Sequence, residues 1–171
     1  MHDVFSVAQI FGYFAFVFGV ACFLQKNDMR FRVLLCLESL SYVVHFWLLG
    51  NYPAMASASM ALTRTFTAIY TRSRWAAAFF VTLTIALGIW LIKDWVGVMP
   101  ILASCIGTTA VFLFSGITMR LLMLTATFLW LANNILSGSI GGTLLEACIA
   151  LSNGYTIWQL RRDQLRCEQV H

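Results

Sequence analysis

The chain has 171 residues, of which 60% are hydrophobic and 11% charged, and its formal net charge is +4. A soluble domain carries roughly 25% charged residues, and the mean hydropathy here is +0.81. Composition therefore excludes a water-soluble domain, and with it the nucleic-acid reading a basic chain would otherwise invite, and leaves an integral membrane protein. The five cysteines, Cys22, Cys36, Cys105, Cys148 and Cys167, fall mostly inside apolar runs and form no CxxC or Cys/His spacing. They read as small core hydrophobes, and neither a disulfide framework nor a metal site is expected.

Seven spans follow in chain order: Val4 to Leu24, Val33 to Leu49, Tyr52 to Thr71, Trp75 to Ile92, Val96 to Phe114, Leu121 to Leu136 and Thr143 to Leu160. Met1 to Gln25 lacks Lys and Arg and shows no small-residue cleavage site after its apolar run, so it reads as a retained helix, not a signal peptide. The fourth span is the plainest, because no ionisable group lies between Arg74 and Lys93. About 20 residues at ~1.5 Å rise cross a ~30 Å hydrocarbon core. The connections are short, QKNDMRFR after the first span and TRSR after the third, as suits helices that turn back on neighbours. Pro53 sits at a turn and Pro100 near a span start, where neither breaks an interior ladder.

Charge placement orients these spans. Lys26, Arg30, Arg32, Arg72, Arg74, Arg120, Arg161, Arg162 and Arg166 fall in odd-numbered loops and the tail; Lys93 is on the opposite side and Arg64 within a span. The excess of Lys and Arg on one side places the N-terminus in the periplasm and the C-terminus in the cytoplasm, and requires an odd number of spans.

Sliding the chain by 88 residues superposes Ile10 to Arg74 on Val98 to Arg162. Ala15 then meets Ala103, Gly19 Gly107, Arg32 Arg120, Leu34 Leu122, Leu48 Leu136, Gly50 Gly138, Ile69 Ile157 and Arg74 Arg162. Helices and loops match in length throughout. Three spans are an odd number, so a directly joined second copy would insert upside down, and one extra helix restores its orientation. The expected fold is thus an all-α membrane protein with seven transmembrane helices in a 3+1+3 arrangement of parallel repeats. It forms a single polytopic domain, 1–171, with repeat one at 4–74, a linker helix at 75–93, repeat two at 96–162 and a cytoplasmic tail at 163–171.

With QIFGY (Gln9 to Tyr13) and the block RFRVLLCLESLSYVVHFWLLG (Arg30 to Gly50), the chain resembles the YgjV family of bacterial inner-membrane proteins and, more distantly, the SWEET and PQ-loop group of seven-helix carriers. The resemblance covers nearly the whole chain and implies a bacterial inner (plasma) membrane location. SWEET-like carriers hold sugar between two triple-helix bundles, with asparagines on the third helix of each repeat and aromatic residues on the second. The resemblance thus assigns Asn153 to the second asparagine, with Thr65 as its repeat partner, and pairs Tyr42 with Trp130 at the aromatic positions. Of the sugar carriers' prolines only Pro53 and Pro100 are present, which departs from the sugar-specific pattern.

Polar residues inside the spans form stripes. Glu38, Ser41, Tyr42 and His45 fall at i, i+3, i+4 and i+7 on the second span, and Ser57, Met60, Arg64, Thr67 and Thr71 do the same on the third. Thr127, Trp130, Asn134 and Ser137 line the sixth, with Asn133 adjacent, and Glu146, Asn153 and Thr156 the seventh. A charge inside a span costs ~2.5 to 3.5 kcal/mol and marks a pathway or a paired interior site. Counting the rise inward puts Glu38 roughly 9 Å and Arg64 roughly 12 Å deep from the same side, so the two can pair. His45 and Asn133 occupy equivalent repeat positions in the outer half, where interhelical hydrogen bonding explains them as well as ligand binding does. Glu146 reads as complementing the dipole at the start of the last helix. Asn153 lies near mid-membrane and is the best single pocket candidate. The small-residue run AMASASMA (Ala54 to Ala61) permits close helix approach. Trp47, Trp75, Trp90, Trp95 and Trp158 read as interfacial anchors, and Arg161, Arg162 and Arg166 as contacts to anionic lipid.

No GxSxG, HExxH, Walker loop or paired-carboxylate motif occurs, so neither an enzyme nor a cofactor is expected. The leading expectation is a carrier of a small polar or anionic solute. Tyr42, Arg64, Trp130 and Asn153 contact that solute, Glu38 compensates Arg64, and His45, Asn133, Asn134 and Glu146 complete the polar interior. The alternative is a non-transporting assembly or partner-binding protein in which the stripes only join helices. Discriminating the two requires a solute.

Overall fold

Helices begin where a side chain can take up the exposed backbone donors of the first turn. The computed structural model describes residues 7–48, 52–91, 95, 97–136 and 140–168. Its elements there are seven α-helices: α1 (Val7–Phe23), α2 (Asp28–Leu48), α3 (Tyr52–Tyr70), α4 (Arg74–Leu91), α5 (Val98–Leu113), α6 (Gly116–Leu136) and α7 (Ile140–Glu168). Asn27 caps α2, its Oδ1 accepting from the N–H groups of Met29 at 2.9 Å and Arg30 at 3.0 Å. Ser73 does the same for α4, accepting from the N–H of Trp75 at 3.2 Å. Phe114 leaves α5 with extended backbone. The chain then re-enters a helix at Gly116, whose φ of +59° lies where an L side chain is strained.

All seven expected helices are present, with changed limits. α2 begins at Asp28 instead of Val33, and α6 at Gly116 instead of Leu121. Hydropathy marks only the apolar part of a helix, whereas backbone hydrogen bonding continues through polar residues as far as the cap. For the same reason Arg32 and Arg120, expected in loops, lie four residues inside α2 and α6. α7 likewise continues through the expected tail to Glu168. The expected limits at Val4, Leu49, Ile92 and Val96, the pair Gly50 and Gly138, Lys93 and Ser137 lie outside the described residues, as do the side chains of Trp90 and Cys167.

The helices form two compact units, Met1–Tyr70 and Thr71–His171. In the first, α2 packs against both α1 and α3. Small residues on α1 allow it: Ala8, Ala15 and Cys22 are buried, as is Gly19. The Cys22 thiol donates to the Phe31 carbonyl at 3.2 Å, and the rings of Phe23 and Phe31 meet edge to face at 5.2 Å.

In the second unit α6 packs against α5 and α7, and α4 packs on α5. Ala103, Gly107 and Ala110 give α5 the same small-residue face. Phe80 of α4 stacks on Phe112 of α5 at 5.8 Å, and Gly88 lies against Ile101.

The outside of both units is apolar and much of the inside is polar. Leu151 and Ile89 are 76% and 70% exposed, while Arg120, Thr108, Asn153 and Thr156 are fully buried at 0%. Water would drive the opposite distribution; hydrocarbon imposes this one, because polar groups there must turn inward. By length and composition α2 and α6 can each cross a membrane, and α1, α5 and the Arg74–Ile89 part of α4 are shorter apolar helices.

Candidate functional site

On α2 the expected stripe faces α1 and α3. Glu38 is half-buried, and the Ser39 hydroxyl donates to its Oε2 at 3.3 Å. Its side chain lies across Gly19, where a Cβ would stand 3.7 Å from Glu38 Cγ and 3.9 Å from Oε1. Arg64 is half-buried on α3, the helix that packs against α2, as the pairing anticipated from their depths would require.

One helical repeat further along, His45 Nδ1 stands 2.7 Å from the Ala8 carbonyl of α1. A carbonyl only accepts, so Nδ1 carries the proton and donates. Gly12 makes room for the ring: a Cβ there would lie 3.1 Å from His45 Cε1 and 3.2 Å from Nδ1. Gly12 and Gly19 on α1 thus face His45 and Glu38 on α2, each pair seven residues apart. Tyr42 stacks on Phe46 at 5.6 Å and meets His45 edge-on at 6.4 Å.

In the second unit Asn153 is completely buried, and its Nδ2 donates to the Arg120 carbonyl at 2.9 Å, tying α7 to α6. Its Oδ1 is buried and accepts no hydrogen bond. Thr65 of the first unit, 88 residues earlier, behaves alike: it is 1% exposed, and its Oγ1 is buried without a hydrogen-bond partner. Buried oxygens left in this state are rare, because each forfeits the bond it made to water.

The remaining expected residues are less closely engaged. Trp130, Asn133 and Asn134 are half-buried on α6. Glu146 is not at a helix start: α7 begins at Ile140, which puts Glu146 seventh in the helix, beyond the first turn over which the dipole acts. Several hydroxyls inside the spans turn back on their own helices. Ser41, Thr67 and Ser152 donate to the carbonyls of Leu37, Thr63 and Cys148 at 2.8, 2.7 and 2.8 Å.

Two buried arginines were missed as interior groups. Arg32 and Arg120 are 5% and 0% exposed, although their loop-like sequence surroundings suggested a topological role alone. Periodicity held the signal: stepping the Thr127, Trp130, Asn134 stripe back seven residues from Thr127 reaches Arg120. At the helix ends, Arg74 lies over the Trp75 ring at 5.7 Å and Arg162 over Trp158 at 5.4 Å, with both tryptophans more than half exposed. This agrees with their reading as anchors.

An apolar exterior, α2 and α6 of membrane-crossing length, and an all-helical fold among the described residues define a helical membrane protein. The family described as bacterial inner membrane protein, Imp-YgjV, matches residues 6–164. The chain is also 38% identical over 160 residues to the inner membrane protein YgjV of Escherichia coli (strain K12), an alignment covering 94% of this chain and 87% of that protein. The chain belongs to the YgjV family of bacterial inner membrane proteins. No solved structure matches it.

Proposed function

We propose that the chain is a multi-pass carrier, not an enzyme, that binds and moves a small polar or anionic solute. Its seven helices form two parallel triple-helix repeats joined by α4, with Tyr42, Arg64, Trp130 and Asn153 contacting the solute. The observation that carries this reading is the pair Thr65 and Asn153. Two positions 88 residues apart, on α3 and α7, each hold a buried oxygen that accepts nothing from the protein. A solute hydroxyl or ammonium group supplies the missing donor, and the interior charge of Arg64 suits an anionic group. The common burial of Arg32 and Arg120, and of Gly19 and Gly107, supports the repeat.

The test is a thermal-shift screen of purified protein in detergent against polar metabolites, beside Asn153→Ala and Tyr42→Ala. A ligand of the folded state at a hundredfold over its Kd adds ~2.7 kcal/mol of stability. A compound that raises the wild-type Tm and fails to raise it in both variants is the expected result. If no compound shifts the wild type while both variants fold normally, the carrier reading fails. A second reading then takes its place: a non-transporting membrane component whose stripes are helix contacts, favoured by the His45 to Ala8 bond and the back-bonded hydroxyls of Ser41, Thr67 and Ser152.

The same reading places the N-terminus in the periplasm and the C-terminus in the cytoplasm, on the distribution of Lys and Arg. A C-terminal green fluorescent fusion is expected to fluoresce and a C-terminal alkaline phosphatase fusion to stay inactive. The reverse pattern refutes the orientation.

A further inference from the structure

The turn from α1 into α2 holds a feature that the interior site does not use. A groove of about 320 Å³ is lined by Gln25, Met29, Arg30, Val33 and Leu34. Gln25 turns its amide away onto α1, its Nε2 donating to the Ala21 carbonyl at 3.3 Å. Met29 and Val33 are 50% and 42% exposed, so the groove opens on the outer surface of the first unit. Its polarity is graded along the helix. Arg30 is the third residue of α2 and is exposed, with Lys26 exposed in the preceding turn. Val33 and Leu34 lie one helical turn further in, ~5 Å along the axis. Arg30 is the charged residue among those that line the groove, so one cation stands beside an apolar floor.

We propose that this groove is a binding site for one anionic phospholipid, with the phosphate on Arg30 and the upper part of an acyl chain against Met29, Val33 and Leu34. The guanidinium fork matches phosphate geometry, and its place at the very start of a membrane-length helix sets it at headgroup level. An inorganic anion would find the same charge but gain nothing from the apolar floor. A zwitterionic lipid would fill the floor but carry no net charge for the Arg30 guanidinium. Only an anionic lipid uses both halves.

The experiment is native mass spectrometry of the full-length protein in detergent, titrated with phosphatidylglycerol, with phosphatidylcholine of the same chains, and with inorganic phosphate. Phosphatidylglycerol is expected to bind in a one-to-one step that the other two lack. Arg30→Gln is expected to weaken that step about fivefold, the share one basic residue carries near an anionic surface, while Arg30→Lys retains most of it. Met29→Trp, at a position that is 50% exposed, keeps the charge and fills the groove, and is expected to weaken binding as well. Equal binding of phosphatidylcholine, an unchanged step in Arg30→Gln, or full competition by inorganic phosphate each overturns the proposal. Arg30 and Met29 play no part in the solute reading, so this result stands or falls independently of it.

Discussion

Arg64→Ala is expected to cost about 3 to 5 kcal/mol of stability, because it leaves the Glu38 carboxylate uncompensated inside a membrane-length helix. Glu38 lies against Gly19 of α1, and the Ser39 hydroxyl, at 3.3 Å, is a weak substitute for a full charge. The discriminating variant is the double change Glu38→Gln with Arg64→Met. Removing both charges together removes the desolvation cost of each, and neutral replacements of buried pairs are often no less stable than the pair itself. Reversible unfolding of the four proteins in detergent closes a double-mutant cycle. A large penalty for Arg64→Ala that vanishes in the Glu38→Gln background establishes the pair. Additive losses would mean that the two charges act separately, and that Arg64 owes its place to something other than Glu38.

Gly88→Leu is expected to separate α4 from α5. A Cβ at Gly88 would collide with Ile101 Cδ1 and stand 2.7 Å from its Cγ1, so even Gly88→Ala forces the isoleucine to move. Overpacking of one or a few methylenes costs about 1 to 3 kcal/mol, and leucine adds three carbons beyond that Cβ. The alanine variant recovers up to about 1 kcal/mol from helix propensity, so its net loss is small and the leucine loss is the informative one. Ile101→Ala opens the space and is expected to restore stability to the Gly88→Ala protein. A Gly88→Leu protein as stable as the wild type would show that the two helices do not approach at this point. The expected linker helix would then not be held on the second unit there.

Much of this molecule is legible in its sequence. Hydropathy is a local property, and it located all seven helices and the membrane class. The helical rise put Glu38 and Arg64 at similar depths, and both are half-buried on helices that pack together. The expectation that His45 makes an interhelical bond also holds, to the Ala8 carbonyl. Helix limits were less legible: Asn27 and the Gly116 turn set them through hydrogen bonds and backbone conformation, which hydropathy does not measure.

The sequence by itself determined what kind of solvent the chain folds in, because 60% hydrophobic residues in long runs admit only one. It also determined which faces of the helices are polar, through the periods of 3 and 4. Tertiary structure decided which of those faces turn inward and what they meet there. Asn153 reaches the Arg120 carbonyl across 33 residues and His45 the Ala8 carbonyl across 37. Arg32 and Arg120 pass from apparent loop charges to buried interior groups. The physical reason is that every helix offers all of its faces to its neighbours. The small residues that let two backbones close together, such as Gly12 under His45 and Gly19 under Glu38, select the face only once the partner helix is in place.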